Sequence, residues 1–195
     1  MCLSFLLALE KDWEDNPYMA TLPNTERLWT VDEYLRTSWS PDRELVDGRI
    51  EERNLGEKDH SILQGYLTYL FISKRAEWEV EVFPELRTQT KSTNFRVPDV
   101  LVVRSEDKFQ RYITKAPLIA IEILSPEDTL KAMERKSAEY RLFGVENIWV
   151  IDPEKRAAYR YAGSGLEDVR TGELAVAGTP IHIKLSEVFA ELDRS

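Results

Sequence analysis

Three charged residues occupy places where a folded chain has little reason to put a charge. In "RVPDVLVV", Arg96 to Val103, Asp99 follows Pro98 and opens an apolar run. In "LIAIEILS", Leu118 to Ser125, Glu122 is the only charged residue. Further on, at about 100° per residue, Thr129, Met133, Lys136, Tyr140 and Phe143 form one stripe of a helix, with Lys136 the one charge in its middle. A carboxylate in a buried strand must be paired, hydrogen-bonded or bound to a metal, because isolated burial is too costly. Two such acids on neighbouring strands, with a lysine reaching over them, have a specific chemical use. Hard carboxylate oxygens bind Mg²⁺, which keeps several waters and takes substrate phosphate oxygens. The metal lowers the pKa of a bound water, and the lysine orients that water or neutralises charge growing on the phosphate. Glu44, just before the Asp47-Gly48 pair, is a candidate third acid. Each residue also has a plainer reading: Asp99 capping a turn outside the sheet, Glu122 in a buried ion pair, Lys136 snorkelling at a helix edge, Glu44 at a solvated strand end.

The elements that must position these residues are legible as patterns. Thr30 to Glu33 is T-x-x-E, a capping box for a short helix holding Tyr34 and Leu35. "RELVDGRIEE" reads as a hairpin about Asp47-Gly48. From about Asp59 to Trp78, Ile62, Leu63, Tyr66, Leu67, Leu70 and Phe71 recur at helical spacing. "VEVFPELRTQT" reads as a strand with edge character because of Pro84. "VPDVLVV", "LIAIEIL" and "NIWVID" are the short apolar runs of strands covered on both faces. Side chains alternate along a strand, so Glu122 shares a face with Ala120 and Leu124. A helix is predicted from about Glu127 to Phe143, ended by Gly144, with Lys131, Glu134, Arg135, Glu139 and Arg141 on its polar side. "RAAYRYAG" is the expected hairpin partner of "NIWVID", and "IHIKLSEVFAEL" a strand followed by a short helix. The expectation is one α/β domain, a mixed central β-sheet flanked by helices.

Composition bounds the function. Hydrophobic content of 43% with 31% charged residues fits a globular chain rather than a disordered one. No stretch approaches the roughly 20 apolar residues needed to span a bilayer, so no membrane partner is expected. The single cysteine, Cys2, excludes an internal disulfide and a Cys-rich zinc site, and a reducing cytoplasm is the expected compartment. Net charge of −9 argues against a general nucleic-acid coat, since phosphate binding rests on Lys and Arg, but not against a nuclease with metal-binding acids. "LSFLLAL" near the start has the length of a signal core without basic residues before it or a small-residue cleavage site after it. Residues 1–18 are expected to be a dispensable extension, with residues 19–195, from Met19, forming the domain.

Asp99 in "VPDVLVV" and Glu122 in "IAIEILSP" resemble the PD-(D/E)XK nuclease core. More narrowly, the order "RELVDG", "VPDVLVV", "IEILSPED" and "KSAEYRLFGVENIWVIDP" is similar to the Uma-type putative restriction endonuclease family, from about Thr30 to Leu192. The resemblance implies a restriction-endonuclease-like α/β core and a Mg²⁺-dependent endonuclease acting on DNA, with Mn²⁺ an alternative metal. It places Asp99 and Glu122 on the metal, with the Ile123 carbonyl as a further ligand, Glu44 in support and Lys136 on the attacking water. One departure matters: the superfamily lysine two residues after the glutamate is Leu124 here, and Lys136 on the following helix is the candidate to restore the charge. Tyr140, one turn further on, either lines the site or is core, and core is the favoured reading. Arg87 and Gln89 suit either a substrate-facing strand or an exposed edge. A homodimer would match the two-fold symmetry of a duplex site. The alternatives are a catalytically weak or inactive nuclease-fold binding module, and a phosphoesterase for a small substrate should no basic surface surround the acids.

Overall fold

In chain order the elements are α1 (Val31–Arg36), β1 (Glu44–Val46), β2 (Arg49–Glu51), α2 (Lys58–Trp78), β3 (Val80–Pro84), β4 (Thr88–Lys91), β5 (Asn94–Arg96), β6 (Val100–Arg104) and β7 (Ile119–Ile123). Then come α3 (Leu130–Phe143), β8 (Asn147–Asp152), β9 (Ala157–Ala162), β10 (Gly165–Asp168), β11 (Glu173–Ala175), β12 (His182–Lys184), α4 (Leu185–Ala190) and a closing 3₁₀ turn (Glu191–Asp193). This computed structural model describes residues 27–54, 56–109 and 111–194. The expectations for residues 1–18 and Met19 lie outside them.

Alternation of side chains gives the central sheet two unlike faces. Its six strands run in the order β10-β9-β8-β7-β6-β3, antiparallel except for the parallel pair β7 and β8. A parallel pair needs a crossover, and α3 supplies it. Ile119, Ile121 and Ile123 of β7 point to one face, where they pack with Leu63, Leu67 and Phe71 of α2 and Val188 and Phe189 of α4. Ala120 and Leu124 point to the other, against Tyr140 and Met133 of α3. Glu122 lies between those two positions, so its carboxylate is directed at α3. The result is the expected α/β architecture, a mixed sheet flanked by helices. Among the described residues no helix is long and apolar enough to cross a membrane.

A second, four-stranded sheet, β2-β1-β5-β4, stands beside the first. Tyr34, Leu45 and Phe95 form its core. The β1–β2 hairpin turns on Asp47 (φ 48°) and Gly48 (φ 81°), the two positive φ values that a type I′ turn requires. Thr30 and Glu33 make the expected reciprocal capping box on α1.

Two boundaries differ from the sequence reading. "VEVFPELRTQT" is not one strand. It breaks at Glu85 (φ 53°) into β3, an edge of the large sheet as Pro84 predicts, and β4, an edge of the small one. The helix predicted from Glu127 starts at Leu130, because Asp128 Oδ2 accepts the Ser125 N–H at 2.8 Å and holds the intervening residues in a turn. Thr129 then takes the N-cap and accepts from the Ala132 N–H.

Candidate active site

The chain crosses from the small sheet to the large one between β5 and β6, and the candidate residues gather at that crossing. Pro98 has no N–H to give, and the Val97 N–H donates to Glu44 Oε1 at 2.9 Å. A β1 carboxylate therefore fixes the backbone where it enters the large sheet. Asp99 sits one residue ahead of β6. In the β6–β7 register Val100 faces Ile121, so one step further Asp99 falls beside Glu122. Asp99 Oδ2 accepts the Ile123 N–H at 2.8 Å, which also orients the Ile123 carbonyl to the same side of β7.

Both acids are nearly sealed from solvent, Asp99 at 5% and Glu122 at 3% exposure, so both must be held by donors. Glu122 Oε1 accepts the Tyr140 hydroxyl at 2.6 Å. The Lys136 ammonium lies 2.9 Å from each Glu122 oxygen and 2.9 Å from Glu44 Oε1. Arg53 donates from Nη2 to Asp99 Oδ1 at 2.8 Å and from Nη1 to Glu85 at 3.1 Å. His60 Nε2 lies 3.3 Å from Asp99 Oδ2. Glu44, Asp99, Glu122 and Lys136 thus meet around one cleft of about 640 Å³. Arg87 and Gln89 do not line it. Arg87 grips Asp42 through two nitrogens, at 2.7 and 2.5 Å, with its guanidinium 4.5 Å from the Tyr34 ring centroid, and the Gln89 amide turns to the Ser92 carbonyl.

Burial and charge act differently on the three acids. Burial pushes the Glu122 carboxyl up to about 7, against the pull of the Lys136 ammonium and with the push of Asp99 and Glu44. Burial also pushes Asp99 upward, but the hydrogen bond and charge of His60, with the charges of Lys136 and Arg53, outweigh it and hold the carboxyl below its ordinary value. Glu44 follows Asp99: burial raises it, and Lys136, Arg96 and the Val97 N–H bring it below the usual range. For Lys136 burial opposes the charge, yet Glu122, Glu44 and Asp99 raise it above an ordinary lysine. It is therefore a permanent cation and donor near neutrality, not a base.

Residues 31–185 match the Uma2 family, described as "Putative restriction endonuclease". The chain belongs to that family. No curated protein matches it. A crystal structure described as a putative nuclease belonging to DUF820, from Anabaena variabilis, superposes with a TM-score of 0.72 at 22% identity, covering 84% of this chain and 98% of that one. At that identity the likeness establishes the fold. A cryo-EM structure of a DrdV–DNA complex aligns at a TM-score of 0.38 and 13% identity, over 67% of this chain and 10% of that one, and carries no argument. In this chain position 124, two residues after Glu122, departs from the D/E-x-K pattern. Leu124 packs among Met133, Val150 and Tyr159, and the cation beside Glu122 comes from α3.

Whether the cleft suits a divalent metal is decided by its donors. Among the described residues no three acid, His or Cys side chains converge as a ready cage. Mg²⁺ does not require one, because it is commonly held by one or two carboxylates and completed by water and phosphate oxygens. Asp99, Glu122 and the Ile123 carbonyl are all oxygen donors on one side of one cleft, so the donor set fits such an ion.

Several residues of the site escaped sequence reasoning. His60 lies on the face of α2 that carries Leu63, Leu67 and Phe71, and its place at i−3 from Leu63 was the available signal. Arg53 follows the hairpin with no pattern to mark it. Tyr140 is core, as expected, but its hydroxyl also holds Glu122. Glu139, assigned to the polar side of α3, is buried instead, held by Thr90, Asn94 and Arg96. The small sheet covers that side of the helix, which helical periodicity alone does not disclose.

Proposed function

We propose that this cleft hydrolyses phosphodiester bonds in DNA as a Mg²⁺-dependent endonuclease, with Mn²⁺ able to replace Mg²⁺. The observation that carries the reading is the meeting of Asp99, Glu122 and Lys136, from two strands and a helix, around one cleft. A Mg²⁺ held by Asp99, Glu122 and the Ile123 carbonyl would lower the pKa of its bound water and offset charge on the phosphate. The Lys136 ammonium donates to the attacking water or to a phosphate oxygen, and its raised pKa keeps it charged. Glu44 holds Lys136 and the Val97 N–H, Tyr140 orients Glu122, and Arg53 and His60 orient Asp99. In the reaction a water oxygen bonds to phosphorus as that water gives up a proton to solvent, one P–O ester bond breaks, and the leaving oxygen takes a proton from solvent. Lys91 and Arg135 line the cleft and are exposed, and among the described residues neither forms an ion pair. They are the cations left to contact backbone phosphates.

A second reading is a catalytically weak or inactive nuclease-fold binding module. It draws on the same cleft, whose lining holds more carboxylates than cations, and on Leu124 in place of a strand lysine. Incubation of supercoiled plasmid and duplex oligonucleotides with Mg²⁺ or Mn²⁺ separates the two. Nicking or linearisation that EDTA and Asp99→Ala abolish supports the nuclease. Binding without cleavage, on substrates of varied sequence and methylation, supports the module.

A further inference from the structure

Arg96 lies three residues before Asp99, at the end of β5, with its side chain 11% exposed. Its guanidinium spans three elements. Nη1 donates to Glu44 Oε2 at 2.8 Å, on β1, and to Glu51 Oε2 at 3.3 Å, on β2. Nη2 and Nε donate to Glu139 Oε2 at 2.8 and 3.1 Å, on α3. The other Glu139 oxygen, Oε1, is held by the Thr90 hydroxyl and by Asn94 Nδ2 at 3.2 Å, both on the β4–β5 hairpin. Every acceptor position of Glu139 thus points into the small sheet.

These contacts close a ring. Arg96 binds Glu44, Glu44 binds Lys136, one turn of α3 leads from Lys136 to Glu139, and Glu139 returns to Arg96. Residues three apart on a helix share a face, so where Glu139 is anchored decides where Lys136 points. A lysine has four rotatable carbons and about 2 kcal/mol of rotamer entropy, and a compact ammonium does little to fix its own direction. The planar fork of arginine does fix direction, because its donors are set at constant angles. Buried ion pairs contribute little net stability, so such a ring is poorly explained as a source of stability alone.

We propose that Arg96 and Glu139 are positioning residues that clamp α3 to the small sheet and so hold the Lys136 ammonium between Glu122 and Glu44. The consequence for cleavage rests on the nuclease reading above, whereas the clamp itself does not. Neither residue touches the reacting atoms. Both act through Lys136.

The test reads Lys136 directly. Wild type and variants are treated with acetic anhydride at one pH, and peptide mass spectrometry gives the acetylation rate of Lys136 relative to Lys131, an exposed lysine on the same helix. In Arg96→Met that ratio is expected to rise about tenfold, as for a loss of about 1.4 kcal/mol of local holding. Glu139→Ala releases the other end of the clamp and is expected to give the same rise, which keeps the test available should Arg96→Met fail to fold. Glu139→Gln retains an acceptor for Arg96 and is expected to stay near the wild-type ratio. Arg87→Met breaks a comparable Arg–Asp42 pair outside the cleft and should leave the ratio unchanged. A wild-type ratio in folded Arg96→Met and Glu139→Ala, or an equal rise in Arg87→Met, would overturn the clamp. With a cleavable oligonucleotide, the clamp further predicts a fall in kcat at nearly constant KM for Arg96→Met. An inactive wild type would end the nuclease reading and leave the acetylation result to decide the clamp.

Discussion

Lys136 on α3 donates to Glu122 on β7 at 2.9 Å across a separation of fourteen residues. The nuclease pattern that the sequence resembles sets its lysine two residues after the glutamate, on the same strand. Here that position faces α3 as well, but it holds Leu124 in an apolar cluster, and the helix opposite returns the charge. The same ammonium also lies 2.9 Å from Glu44, so one cation serves two buried acids.

Removing that cation leaves Glu122 without an ion-pair partner, whereas Glu44 keeps Arg96. Breaking a buried ion pair by deleting one partner costs about 3–5 kcal/mol. Lys136→Met is expected to lose stability of that order in urea denaturation at pH 8. The loss should shrink as the pH falls, because protonation of Glu122, whose carboxyl sits at about 7 in the wild type, relieves the unpaired charge.

Glu122 itself gives a pH-dependent signature. Its folded-state pKa is raised, so the folded protein binds more protons than the unfolded chain between the ordinary carboxyl value and about 7. Its ionisation therefore lowers stability as the pH rises through that window, by up to about 3 kcal/mol. Glu122→Gln is expected to be more stable than wild type at pH 8 and to lose that advantage near pH 4.5. Equal stability at both pH values would contradict the raised carboxyl.

His60 has a slope of the same sign in its own window. Burial lowers its pKa, but the hydrogen bond and charge of Asp99 raise it above an ordinary histidine. Its contribution is full below the unfolded value of about 6.5 and fades as the pH rises through the raised folded value. The stability gap between wild type and His60→Gln, measured by thermal denaturation from pH 6 to 9, should narrow toward the alkaline end. A gap that widens there would rule out the protonated pairing.

Lys91→Ala and Arg135→Ala test how DNA is held. Each is expected to weaken duplex binding in a sequence-independent way and to lower the slope of log affinity against log salt by about one. The melting temperature should hold, since both side chains are exposed and form no ion pair among the described residues. Unchanged affinity in the double variant would remove these residues from the substrate path.

The strands and the placement of Glu122 were legible because alternation and periodicity are local. An acid alone in "LIAIEIL" has to face something, and the apolar stripe of α3 identified Lys136 as its partner before any contact was known. What was not legible came from contacts between the two sheets. Glu139 reads as a polar-side residue of α3 until the β4–β5 hairpin covers it. Arg53 and His60 reach Asp99 from the segment after β2 and from the start of α2, at sequence distances no pattern spans. Splitting "VEVFPELRTQT" between two sheets likewise depends on a single positive φ at Glu85, a residue type that does not announce it.

The most direct test of the account is cleavage of one duplex substrate with Mg²⁺ by wild type, Lys136→Met, and Lys136→Met combined with Leu124→Lys. The account predicts cleavage by wild type, its loss in the single variant, and partial return when a lysine is placed on the strand two residues after Glu122. Cleavage by folded Lys136→Met at the wild-type rate would contradict it, because the helix lysine would then have no part in the reaction.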